Sequence, residues 1–114
     1  MKKASKAETP IQSQIRLALG SRADTRPWRN NVGVDFSKGT PVAYGLCVGS
    51  ADLICITRGG LFLAVEAKSK NGRQSKEQKD FQKVIEKLGG IYILGRSDDQ
   101  VIEDLELSLK EKGL

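Results

Sequence analysis

"GSADLICITRGGLFLAVEAKSK", Gly49 to Lys70, carries the fold and the chemistry of this chain together. Two strand-like apolar runs, Ala51 to Thr57 and Leu61 to Lys68, flank Arg58-Gly59-Gly60. A three-residue loop with a left-handed glycine at its third position predicts a hairpin in which Thr57 faces Leu61. Counting back then sets Asp52 opposite Glu66, with Cβ atoms roughly 5 Å apart, and alternation puts Lys68 on the face of Glu66. A two-residue Gly59-Gly60 loop would send the two carboxylates to opposite faces. Leu53, Cys55, Leu63 and Val65 form one apolar face, and Ile54, Ile56, Phe62 and Ala64 the other, so both faces are expected to be covered.

Outward from this hairpin the punctuation is regular. Thr9-Pro10-Ile11-Gln12 reads as a helix start, with a threonine cap, proline at the first position and glutamine completing a capping box. Ile11, Ile15, Ala18 and Leu19 follow as one stripe, and Gly20 ends it. Ser21 to Gly39 reads as an irregular excursion, and Pro41 to Val48 as a first strand. Ser75-Lys76-Glu77-Gln78 repeats the capping pattern before Phe81, Val84, Ile85 and Leu88, and Gly89-Gly90 closes that helix. Ile91 to Leu94 is a short strand, and Ser97-Asp98-Asp99 caps a last helix that buries Val101, Ile102, Leu105 and Leu109. The order is helix, three strands, helix, strand, helix: an α/β class with a mixed central sheet.

The 114 residues are one domain's worth, and 39% are hydrophobic, enough for one core. The longest apolar stretch, Leu61 to Val65, is far short of the roughly 20 residues of a membrane span, and no signal-peptide pattern follows Met1-Lys2-Lys3. Residues 1–8 read as a flexible basic arm and 9–114 as the domain. A formal charge of +5 and a pI near 9.4 fit a polyanionic partner such as nucleic acid. Two cysteines, Cys47 and Cys55, with no histidine and no CxxC argue against a structural zinc site; both thiols are expected to be free, buried and in a reducing cytosol.

Two opposed carboxylates repel unless a cation lies between them. Oxygen ligands alone favour Mg²⁺ or Mn²⁺, and a lysine beside them suits phosphodiester hydrolysis. A satisfied ion-pair cluster at a strand end accounts for the same spacing. The spacing leaves both open.

Asp52 with Glu66-Ala67-Lys68 resembles the acid…ExK site of the PD-(D/E)XK nuclease superfamily, without its name-giving proline, which is replaced by Ala51. "RNNVG" at Arg29–Gly33, "YGLCVGSADLI" at Tyr44–Ile54, "VEAKSKNGRQSKEQKDF" at Val65–Phe81 and "GRSDD" at Gly95–Asp99 resemble the VRR-NUC family. More specifically, they resemble its small stand-alone members from phages and prophages. The resemblance implies a restriction-endonuclease-like single-domain core. It also implies a metal-dependent DNA endonuclease using Mg²⁺ or Mn²⁺. Asp52, Glu66 and the main-chain carbonyl of Ala67 become metal ligands, and Lys68 and Gln78 catalytic residues. Gln78 is equally the third residue of a capping box.

Glu8 and Gln12 match accessory polar positions. Arg29, Asn30, Asn31, Lys70 and Arg73 are DNA-contact candidates, with a left-handed asparagine turn as the competing account of Arg29 to Asn31. Trp28 either stacks on a base or, as a lone tryptophan beside Pro27, packs. The implied setting is phage replication, recombination or repair in a bacterial host cytoplasm. The implied partners are branched DNA and a second copy, as in dimeric Holliday-junction resolvases. Val34, Phe36 and Leu107 are the contact candidates. A less selective nuclease and a non-catalytic DNA-binding module are the alternatives.

Overall fold

The computed structural model describes residues 8–114, so the expected basic arm lies, apart from Glu8, outside the described residues. In chain order the elements are α1 (Pro10–Gly20), β1 (Thr25–Arg29), β2 (Gly33–Asp35), β3 (Val42–Tyr44), β4 (Leu53–Thr57), β5 (Phe62–Ala67), α2 (Lys76–Lys87), β6 (Ile91–Gly95) and α3 (Asp98–Glu111). The main sheet runs β1-β4-β5-β6; the first two pairings are antiparallel and β5-β6 is parallel. This is the expected α/β class with a mixed sheet.

The hairpin closes as its glycines require. Gly59 and Gly60 both hold positive φ, 81° and 73°, and the Thr57 N–H donates to the Leu61 carbonyl at 3.0 Å. Leu53 then pairs with Val65 and Cys55 with Leu63, the register of the three-residue loop. One face of the hairpin meets α1 and α3 in the main core. There Ile15, Leu19, Leu53, Leu63, Val65, Val101, Leu105 and Leu109 are fully buried. Each large aliphatic so buried contributes about 1.5–3 kcal/mol, so this layer holds the molecule together.

The opposite face is only half covered, which corrects the expectation for it. α2 lies over β5 and β6, with Phe81 and Ile85 packed on Ala64 and Tyr92. It buries no residue fully, and Ile56, Val84 and Leu88 stay exposed because one short helix cannot span four strands.

The first strand is a second correction. Pro41–Val48 does not enter the main sheet; its middle forms β3, which pairs only with β2 in a separate two-stranded sheet. The place belongs to β1, inside the excursion read as irregular. Pro27 hid it, since proline argues against a strand interior. Backbone bonds join Asn30 to Asp52 (2.8 Å) and Asp24 to Arg58 (2.7 Å). Bonded pairs alternate, so Pro27, opposite Cys55, falls at a non-bonded position on the sheet's edge and forfeits no bond. Cys55 is buried, its thiol pushed up to about 12 by that burial, whereas Cys47 is exposed, contrary to expectation.

Asp24 ties three elements together just before β1. Its carboxylate accepts from Arg22 at 2.9 and 3.0 Å and from Arg58, while Arg22 also reaches Glu106 on α3. The Arg22 hydrogen bonds, with help from Arg58, lower its pKa from 3.8 to about 2, against the opposing effect of desolvation. A lowered carboxylate pKa stabilises the fold fully above the unfolded value and is lost as pH falls through the folded one. Asp24→Asn is therefore expected to cost about 1–2 kcal/mol at neutral pH. Urea midpoints of wild type and variant should converge as pH drops from about 4 towards 2; a gap independent of pH would contradict the network.

Candidate active site at the end of the sheet

β5 delivers Glu66 to the α2 face, because it alternates with the core residue Val65, and leaves it only 4% exposed. Asp52 lies one residue before β4, and the hairpin register carried one step further sets it opposite Glu66. The ladder breaks there in a specific way. The Asp52 carboxylate (Oδ2) itself accepts the Ala67 N–H at 2.9 Å, while the Asp52 main-chain carbonyl accepts from Asn30 at 2.8 Å.

Asn30 is the fastener of this end. Its Nδ2 donates to Ser50 Oγ at 2.7 Å and to the Ala51 carbonyl at 2.9 Å, and its Oδ1 accepts the Leu46 N–H at 3.0 Å. No described non-glycine residue has positive φ, so the left-handed asparagine turn is not formed. The amide of Asn30 is consumed within the chain, so its part is to position Asp52. Ser50 was not singled out from sequence. It is buried, and its hydroxyl donates to the Cys47 carbonyl at 2.6 Å. A serine two residues before the acid was the available signal.

α2 completes the site from its first turn. Ser75 caps it in a full capping box: Ser75 Oγ accepts the Gln78 N–H at 3.2 Å, and Gln78 Oε1 accepts the Ser75 N–H at 2.9 Å. The other end of the same amide, Nε2, donates to Glu66 Oε2 at 3.2 Å. The two sequence readings of Gln78 thus hold together, because an amide offers an acceptor and donors on one rigid plane. Just before the cap, Gln74 donates to the Tyr92 hydroxyl at 3.1 Å. Burial pushes that phenol up to about 12; the nearby charges of Glu66 and Asp52 add to the rise, and the Gln74 bond opposes it. Gly49 presses on the same helical turn: at φ 85° a Cβ there would lie 2.5 Å from the Glu77 main chain.

These parts enclose a cleft of about 200 Å³, lined among others by Gln12, Arg29, Asn30, Asn31, Asp52, Glu66 and Gln78. Gln12 is buried at its wall, as α1's start meets the sheet end. Lys68 does not line the cleft, but its Nζ is 3.7 Å from Glu66 Oε2. Glu8 is also outside it: its carboxylate takes Arg16 at 2.7 and 3.0 Å and lies 3.8 Å from Arg29, so it braces that rim arginine. The Arg16 hydrogen bond lowers the Glu8 pKa. Lys70 and Arg73 are exposed on the β5–α2 connection, away from the cleft lining.

The donor set is carboxylate, amide and main-chain oxygen. In a strand, one residue's N–H and C=O share an edge. Since the Ala67 N–H meets Asp52 and the Lys68 N–H meets the Gly95 carbonyl, the Ala67 carbonyl shares the Asp52 edge. Among the described residues, no three Asp, Glu, His or Cys side chains gather as a metal set. Two carboxylates with a carbonyl suit Mg²⁺, which commonly binds through one or two carboxylates and keeps several waters. No family model, curated protein or solved structure matches the chain.

Gln78→Ala should lower stability by about 1–2 kcal/mol, since it removes half a capping box and a bond to a buried carboxylate. Gln78→Glu should cost more by setting a second carboxylate on Glu66. Chemical denaturation of the three proteins checks the order, and an unchanged Gln78→Ala midpoint would refute the bridge.

Proposed function

We propose that the chain is a metal-dependent DNA endonuclease of the VRR-NUC type, hydrolysing phosphodiester bonds in branched DNA. The observation that supports this most is that Asp52 and Glu66 line one cleft at the sheet end, with the Lys68 ammonium 3.7 Å from Glu66. A structural ion pair needs one carboxylate for one lysine. Here a second carboxylate is turned towards the same end and held there by the Ala67 N–H. The +5 charge of the chain favours a polyanion in the cleft.

When bound, Mg²⁺ or Mn²⁺ would supply Lewis-acid stabilisation of the phosphate and lower the pKa of the attacking water. The chain's own residues do the positioning. Asp52 and Glu66 would hold the cation, with the Ala67 carbonyl on the same edge; Gln78 fixes Glu66 Oε2 and Asn30 fixes the turn that carries Asp52. Lys68 balances the buried charge of Glu66 in the resting site. With substrate present, its ammonium steadies the negative charge that develops on the phosphate. Arg29 and Asn31 at the rim take the flanking backbone. The natural setting of such an activity is the cytoplasm of a bacterial host, in replication, recombination or repair of phage DNA. None of the described helices is long and apolar enough to cross a membrane.

Asp52→Asn, Glu66→Gln and Lys68→Ala should each abolish cleavage of four-way, flapped or linear DNA in Mg²⁺ while binding persists. Because the three act as a unit, double variants should be scarcely worse than singles. EDTA should stop the wild type. Cleavage by these variants at near wild-type rate would move the site elsewhere. Binding without cleavage by the wild type would favour the DNA-binding module, and equal cutting of all substrates the less selective nuclease.

Two symmetric cuts across a junction call for two sites, which a two-fold dimer provides. Phe36 and Leu107 are exposed and Val34 is half-buried, so each is accessible to a second copy. Light scattering should report a dimer, and paired nicks should appear on a mobile junction. A monomer that nicks one strand would remove the resolvase reading and keep the nuclease.

A further inference from the structure

Beyond the cleft, the outer edge of β1 forms a second concavity of about 530 Å³ against α1, with Leu17, Arg26, Pro27 and Trp28 among its lining residues. Trp28 is 54% exposed. Trp28 therefore packs only in part: more than half of the residue lies open to solvent, although burying it would stabilise the fold by kilocalories. No carboxylate lines this groove. Arg26 is exposed and makes no ion pair with any described residue, whereas Arg16, also in the lining, is neutralised by Glu8.

The groove adjoins the cleft along β1. Arg29, the next residue along β1, lines the cleft, and Glu8 touches both Arg16 of the groove and Arg29 of the cleft. From Arg26 to Arg29 a strand spans about 10 Å, room for two or three stacked nucleotides at ~3.4 Å each. An aromatic face beside an uncompensated guanidinium, leading into a site for phosphate chemistry, is the chemistry that recognises an unpaired nucleic-acid strand. A duplex is not suited to it, since its base faces are covered by their neighbours.

We propose that the Trp28–Arg26 groove holds a single-stranded segment of the DNA that enters the cleft, with one base stacked on Trp28 and a phosphate at Arg26. This rests on the nucleic-acid reading of the cleft and narrows its substrate to DNA with an unpaired arm. Trp28 is the chain's one tryptophan, so fluorescence excited selectively at the indole, beyond the absorption of the two tyrosines, reports on the groove alone.

The test uses the full chain in EDTA, which separates binding from cleavage. A short oligodeoxythymidylate should quench the fluorescence to saturation, and a blunt duplex of equal length should quench far less. Fluorescence anisotropy of the labelled oligonucleotide should show Trp28→Ala binding about 5- to 150-fold more weakly, the range that loss of one base–aromatic stack produces. Trp28→Phe should retain most of the affinity, which separates lost stacking from misfolding. Arg26→Ala should weaken binding and flatten its salt dependence by about one ion. Absence of quenching, or unaltered affinity in Trp28→Ala, would overturn the groove, including in favour of a protein occupant. Cleavage in Mg²⁺ is scored separately: cutting without quenching removes the groove and leaves the nuclease, and quenching without cutting does the reverse.

Discussion

The site depends on one turn. Arg58-Gly59-Gly60 closes the β4–β5 hairpin with two left-handed glycines, and the Thr57–Leu61 bond sets the register of every pair behind it. A side chain in a strand changes face with each residue, so a slip of one position would separate Asp52 from Glu66 across the sheet. The same slip would turn Leu53, Cys55, Leu63 and Val65 out of the core. The energy that keeps the two carboxylates opposed is thus the burial of the aliphatic face beneath them, some way from the acids themselves.

Keeping Glu66 buried requires partners, and they come from elements of unequal strength. Lys68 directly follows the strand that carries Glu66, but Gln78 arrives on α2, the helix that buries no residue fully. α2 is seated by Phe81 and Ile85 on Ala64 and Tyr92 and, at its N-terminal end, by the Gln74–Tyr92 bond and the close seat of Gly49 on Glu77. An element with few buried apolar contacts opens at lower free energy than the core. The Glu66 side of the cleft is therefore its softer wall. The Asp52 side is pinned by Asn30 and Ser50 to the rigid sheet.

Much of this was legible along the chain, and for local reasons. Capping residues and turn glycines act within four residues of themselves, so Thr9, Ser75, Ser97 and Gly60 could be assigned before any packing was known. Period-two apolarity gave β4 and β5, and the Asp52–Glu66 opposition followed by counting. β1 was not legible, because its sequence, Thr-Arg-Pro-Trp-Arg, has the composition of a loop. Only the bonding alternation against β4 shows that Pro27 sits where no donor is needed.

By itself the sequence determined the local chemistry: where helices start, how the hairpin turns, and which two carboxylates and which lysine share a face. Tertiary structure alone decided which segment became the edge strand and that Asn30 spends its amide on Ser50 and Ala51. It also decided that Gln78 spans the cap and Glu66, and that Trp28 remains in solvent. The physical reason is range. Caps and turns are set by neighbours within a few residues, whereas these contacts join positions from 12 to 32 apart, whose meeting is fixed only when the sheet and its helices pack.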